Sequence, residues 1–183
     1  MSKNIAIIIG SLRKDSNSGR LAKAFASLFP EGYKTYQPSI GNLELYNPDH
    51  DTNGTPMASW EAFRAAIGKA DAVAFITPEY NRGLPGSIKN ALDVGSRPYG
   101  KSVWKGKPAL VVSSSNGVLG GFGANHHLRQ SLVVLNMPTL TQPEAYIGKA
   151  QELVDSDGTI MKDDTKVYFQ SIVDAFVDLI EKH

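Results

Sequence analysis

Between Gly10 and Gly19 the chain gathers the hydroxyls of Ser11, Ser16 and Ser18, the Asn17 amide and the Arg13 guanidinium. Hydroxyls, an amide and a guanidinium that can grip two oxygens at once suit a phosphate. An apolar run precedes the loop and helical spacing follows it, which predicts a helix N-terminus, where unpaired N–H groups and the positive dipole end favour anions. The loop lacks the Gly-Lys-Ser/Thr ending of a Walker loop and the G-x-G-x-x-G dinucleotide fingerprint. A phosphate monoester held without a metal is the guest it suits. The same residues also describe an ordinary helix cap with Arg13 in solvent.

A second cluster, residues 77–86, holds two prolines and two glycines around Glu79, Tyr80, Asn81 and Arg82. Such a backbone is irregular and rigid, able to aim N–H groups at a planar ring; it equally describes a turn with Tyr80 packed on its neighbours. The third, Ser113-Ser114-Ser115-Asn116-Gly117 followed by Gly120-Gly121, offers hydroxyls and close backbone approach, and alone is only a polar turn. Other chemistries find less support. His126 and His127 are adjacent, so on a helix they point about 100° apart and cannot share a metal. No Gly-x-Ser-x-Gly elbow supports a hydrolase triad. Asp163-Asp164 precedes a helix and complements its dipole, while Trp60 and Trp104 read as packing residues.

Short apolar runs at 5–9, 72–76 and 109–112 read as strands, as does the Tyr- and Thr-bearing stretch 33–37, with a weaker one at 139–146. Helical spacing marks 19–29, 57–69, 87–96, 125–136 and 164–182, and 38–55 is a turn-rich stretch long enough to be functional. The 5–9 run has no polar alternation, as in a parallel strand covered on both faces. The alternation predicts an α/β fold: a doubly wound parallel sheet of about five strands with helices on both faces, three layers in all. Ligands of such sheets bind beyond the carboxyl ends of the strands where strand order reverses, and the three clusters follow the strands ending at 9, 76 and 112.

Composition narrows the chemistry. The chain has 183 residues, 42% of them hydrophobic, and no cysteine. At about 150 residues per domain this predicts one domain, residues 1–183. Thiol redox chemistry, cysteine-held zinc and cysteine-ligated iron–sulfur clusters are excluded, so any redox role needs an organic cofactor. Nineteen Lys+Arg against 18 Asp+Glu leave no global field to gather nucleic acid or anionic lipid. After Met1, the run at 5–9 is too short for a signal peptide or a membrane span, which predicts a cytoplasmic protein.

A phosphate cradle at one end of the crevice and a rigid, donor-rich platform at the other match flavin mononucleotide, FMN. Gly-Ser-Leu-Arg-Lys-x-Ser at 10–16, Pro-Glu-Tyr-Asn at 78–81, Leu-Pro-Gly-Ser-Ile-Lys-Asn-Ala-Leu-Asp at 84–93, Gly-Lys-Pro at 106–108 and His-Leu-Arg-Gln at 127–130 stand in order along nearly the whole chain. In these motifs the chain resembles the NADPH-dependent FMN reductase family, in its bacterial quinone and chromate reductase branch. The resemblance implies a flavodoxin-like fold holding FMN, reduced by NADPH or NADH, that passes electrons to quinones and less selectively to chromate, ferric complexes, azo dyes or free flavin. It implies that Ser11, Arg13, Ser16, Asn17 and Ser18 hold the phosphate, that Pro78, Glu79, Tyr80, Asn81 and Arg82 line the isoalloxazine, and that Ser115 approaches it. It also implies a homodimer or homotetramer.

The chain departs from that branch at Arg82, usually aromatic, at Val94, usually Trp, and at Gly123 and His126, usually Arg and Tyr. Arg82 reads either as a partner for an anionic donor or acceptor beside the flavin or as a solvated charge. The changes at 123 and 126 bear on tetramer contacts. No catalytic side chain and no metal ligand is expected, because the cofactor carries the chemistry and solvent supplies a quinone's protons. Two rivals stay open: a non-enzymatic flavodoxin-type electron carrier, which near-neutrality disfavours, and a flavin-free phosphate-binding domain of the same fold.

Overall fold

The computed structural model describes residues 2–52 and 55–183, so Met1 and two positions of the turn-rich 38–55 stretch lie outside the described residues. Five strands, β1 (Lys3–Ile9), β2 (Tyr33–Tyr36), β3 (Ala72–Pro78), β4 (Ala109–Ser114) and β5 (Ala145–Ile147), form one all-parallel sheet in the order β2-β1-β3-β4-β5. This is the flavodoxin-like order, which reverses between β1 and β3.

Successive residues of a strand point to opposite faces, and here both faces are covered. Ile5, Ile7, Ala72, Ala74, Leu110 and Val112 pack against α1 (Asn17–Ala26) and α6 (Asp163–Glu181) through Phe25, Phe169 and Phe176. Ala6, Ile8, Val73, Phe75 and Val111 pack on the other side against α3 (Ala58–Gly68), α4 (Gly86–Gly95) and α5 (Phe122–Val134), with Trp60 and Trp104 fully buried. Two cores, one on each face, explain the missing polar alternation.

The turn-rich stretch carries a short helix, α2 (Pro48–Thr52). Asn90 of α4 holds it by accepting the Tyr46 N–H at 2.8 Å and donating to the Glu44 carbonyl at 3.0 Å. Arg64 of α3 forms a bidentate pair with Asp51 at 2.9 and 2.7 Å, buried on both sides. The fifth strand is shorter than the 139–146 run suggests. Thr139 makes one parallel bridge to Ala109, and regular pairing resumes only at Ala145, beyond Pro143, which has no N–H to give. Helix α5 begins at Phe122 rather than near 125, for a reason that lies in the site.

Candidate functional site

The loops after β1, β3 and β4 leave neighbouring strands at one edge of the sheet. Gly10 continues the ladder, its N–H donating to Ile76 at 2.8 Å. An ideal Cβ on Gly10 would lie 2.5 Å from Ile88 Cδ1 and 3.0 Å from Thr77 Oγ1, so any side chain would force the first two loops apart. Ser87 Oγ donates to the Gly10 carbonyl at 3.1 Å and ties them further.

Between the three loops lies a crevice of about 210 Å³. Of the residues expected there, Ser11, Arg13, Ser16, Asn17, Ser18, Pro78, Glu79, Tyr80 and Ser115 line it, and Asn81 and Arg82 do not. Ser16 caps α1, its Oγ accepting the Gly19 N–H at 3.0 Å. Asn17 spans the crevice, donating to Asn116 Oδ1 at 2.7 Å. Ser18 stands in the first turn of α1 with its Oγ buried and without a hydrogen-bond partner. The exposed Arg13 guanidinium makes no ion pair among the described residues. A buried hydroxyl without a partner and an unpaired guanidinium, both of residues that line one crevice at a helix N-terminus, are unsatisfied donors that an anion there suits.

In the second loop Tyr80 and Gly83 exchange N–H···O bonds of 3.1 and 3.0 Å around Asn81 and Arg82, whose φ values are 51° and 63°. Two left-handed residues in succession make the tight turn of a two-residue hairpin, a conformation an Arg seldom adopts. The turn carries the Arg82 side chain outward, 76% exposed, to pair with Glu79 Oε1 at 3.3 Å. Arg82 is thus a solvent-facing ion-pair partner of Glu79, which itself lines the crevice. The other Glu79 oxygen accepts the Ala124 N–H at 3.1 Å. This distant carboxylate caps α5, which explains how that helix starts early behind the left-handed Gly121 with no capping side chain of its own. Gly123 permits the approach, since a Cβ there would lie 2.8 Å from the Arg82 carbonyl. Tyr80, with Gly10, Leu12, Arg13 and Pro85, also borders an adjoining hollow of about 370 Å³.

The third loop adds Ser114 and Asn116 to the crevice, the two neighbours of Ser115 that its sequence motif does not single out. Ser115 spends its N–H on Ile147 and its hydroxyl on Gly117. Behind the loop, fully buried Asn125 donates to Ser113 Oγ at 3.1 Å, Ser113 donates to the Gly120 carbonyl at 2.8 Å, and Arg129 donates to Asn125 Oδ1 at 2.8 Å. A fully satisfied buried network of this kind rigidifies the backbone it holds.

No histidine lines the crevice among the described residues. His127 Nδ1 accepts the Leu84 N–H at 3.3 Å, and His126 meets the Tyr146 hydroxyl at 2.9 Å. Burial, then the hydrogen bond to Glu144, pushes the Tyr146 phenol up to about 12. The crevice gathers hydroxyls, a guanidinium and a helix N-terminus, groups that suit a phosphate-bearing molecule.

The description of NADPH-dependent FMN reductases matches residues 3–152. The chain belongs to this family. It is therefore an oxidoreductase. It is 49% identical over 178 residues to a quinone reductase of Pseudomonas putida, covering 97% of this chain and 95% of that one. It is 42% identical to a 2-hydroxy-1,4-benzoquinone reductase of a Burkholderia species, covering 96% and 95%. The solved structure of FerB, a flavoenzyme NAD(P)H:(acceptor) oxidoreductase from Paracoccus denitrificans, superposes with a TM-score of 0.92 at 41% identity, covering 99% of this chain and 98% of that one. No helix among the described residues of this family member is long and apolar enough to cross a membrane.

Proposed function

We propose that this FMN reductase family member holds FMN in the three-loop crevice and uses it to reduce quinones with NAD(P)H. The observation that carries the reading is the Ser18 hydroxyl, buried without a partner at the start of α1 and beside the unpaired Arg13. A phosphate monoester supplies acceptor oxygens for both. Ser11 and the first N–H groups of α1 complete the cradle, while Pro78, Glu79, Tyr80 and Ser115 border the side where the isoalloxazine ring lies. FMN, when bound, supplies the redox centre that takes hydride from a nicotinamide and passes electrons to an acceptor.

The protein's own work is to bind, orient and keep open one face. Gly10 and the hairpin at 80–83 fix the platform, and the buried network behind Gly120 fixes the opposite wall. Donor and acceptor use one mouth in turn, which makes the kinetics ping-pong. The names of the relatives at 49% and 42% identity support quinones as acceptors; chromate, ferric complexes, azo dyes and free flavin belong to the same proposal, as do a homodimer or homotetramer and a cytoplasmic location. Purified protein is expected to be yellow and to oxidise NADPH or NADH with a benzoquinone and no partner protein. A colourless protein that takes up no FMN overturns the reading, and a yellow one without turnover makes it an electron carrier.

A further inference from the structure

We propose that the crevice continues, past its phosphate end, into a second cleft that takes the adenosine monophosphate half of flavin adenine dinucleotide, FAD. The chain then binds FAD more tightly than FMN; this rests on the reading above and extends it. The cleft measures about 560 Å³ and runs from the loop after β1 to residues 37–41 after β2. That size falls within the roughly 300–1,000 Å³ typical of ligand pockets. Ser11, Arg13 and Ser16 line both hollows and form the wall between them. The same three side chains belong to the phosphate cradle, so a phosphate held there lies at the border. FAD differs from FMN only in what is joined to that phosphate: a second phosphate, a ribose and an adenine. The added half therefore starts at the edge of the cleft.

The charge of the cleft exceeds what one phosphate at the wall uses. Arg13, Lys14, Arg20 and Lys23 line it against a single carboxylate, Asp15. Asp15 is taken by Arg20, which donates to it through Nε at 2.9 Å and Nη2 at 2.8 Å. Lys23 reaches only the Ser156 carbonyl, at 3.5 Å. Lys14 and Lys23 have no ion-pair partner among the described residues, and neither lines the crevice. Arg13 serves the phosphate at the border, and these two lysines are left over. Cations uncompensated in a concave surface focus the field on whatever enters it. The second phosphate of FAD brings its own negative charge into that field.

The remaining wall tells an adenosine phosphate from a bare anion. Leu12, 61% exposed, borders the cleft together with Pro38 and Ile40. Gly41 lets Leu12 lean across, since a Cβ there would lie 3.2 Å from Leu12 Cδ2. Gln37 and Ser39 line the same end with an amide, which both donates and accepts, and a hydroxyl. Apolar side chains suit the face of a purine and an amide suits its edge. FMN ends at the border and gains nothing from this wall or from Lys14 and Lys23.

The test is a calorimetric titration of the full chain, freed of flavin, with riboflavin, FMN and FAD. FAD is expected to bind at least about tenfold more tightly than FMN, the effect of charge-assisted contacts to its second phosphate. In the double variant Lys14→Ala, Lys23→Ala that advantage disappears while the Kd for FMN stays where it was, which also shows that the variant folds. Ser39→Trp, which crowds the purine wall and removes no charge, likewise lowers the affinity for FAD and spares FMN. FAD bound no more tightly than FMN, or an advantage that survives the double variant, overturns the proposal. Undiminished FAD affinity in Ser39→Trp overturns the placement of the adenosine. FMN bound no more tightly than riboflavin strikes the phosphate cradle, and so the functional reading together with the cleft, whereas FMN bound without any gain for FAD strikes the cleft alone.

Discussion

Replacing Ser18 by alanine is expected to move stability and cofactor affinity in opposite directions. In the FMN-free protein the hydroxyl is buried and unpaired, and an unsatisfied buried polar group costs about 1–3 kcal/mol. Alanine removes that cost and is the best helix former at a position inside α1. The FMN-free variant should gain about 1 kcal/mol, a rise in Tm of roughly 2–4 °C for a chain of this size. With FMN the sign reverses, because a hydrogen bond to a charged phosphate is worth about 1.5–3 kcal/mol. The Kd for FMN should rise roughly 10–150-fold. Urea unfolding of the FMN-free protein and flavin-fluorescence titration read the two halves separately. Ser16→Ala is the contrast, since its Oγ already caps Gly19 and its loss should lower stability by about 1 kcal/mol. The reasoning is refuted if Ser18→Ala destabilises the FMN-free protein and leaves the FMN Kd where it was.

Arg13→Ala should weaken FMN retention by about tenfold or more with little change in unfolding midpoint, because the guanidinium has no ion-pair partner within the described protein; unchanged flavin content after dialysis would remove its assigned role. Arg64→Met should cost about 3–5 kcal/mol in urea unfolding by leaving Asp51 buried without its partner, and a loss below 1 kcal/mol would show that the pair is replaceable. The Arg64 hydrogen bonds hold the Asp51 carboxyl below its ordinary 3.8, so its stabilisation is complete above about pH 4 and disappears as pH falls through the depressed folded value. Asp51→Asn should therefore flatten the acid limb of the stability curve, and an unaltered limb would assign that limb to other carboxylates.

Much of the architecture can be read from local pattern. The unalternating Ile5–Ile9 run states that both faces of its strand are covered, and the structure supplies α1 and α6 on one side and α3, α4 and α5 on the other. The loops after β1, β3 and β4 declare themselves by glycine, proline and hydroxyl content, and nine of the residues expected there do line one crevice. What escaped local reading depends on distant partners. Nothing near Phe122 announces a helix start, because the cap is the Glu79 carboxylate, 45 positions away. Arg64 sits within an apolar helical face with no visible reason until Asp51 folds over it.

Taken by itself, the amino-acid sequence determined the class of fold, the edge of the sheet that carries the site and the need for a borrowed redox centre, because periodicity, punctuation and the absence of cysteine are local or additive properties. Only the tertiary structure decided which polar atoms are already spent. Ser16, Ser18 and Ser115 are alike in sequence, yet the first caps a helix, the second is left without a partner and the third is consumed by its own loop. Arg13 and Arg82 are likewise both exposed cations beside a crevice, and only Arg82 is paired. Whether a donor is free depends on every chain segment that folds against it, and that is settled by packing.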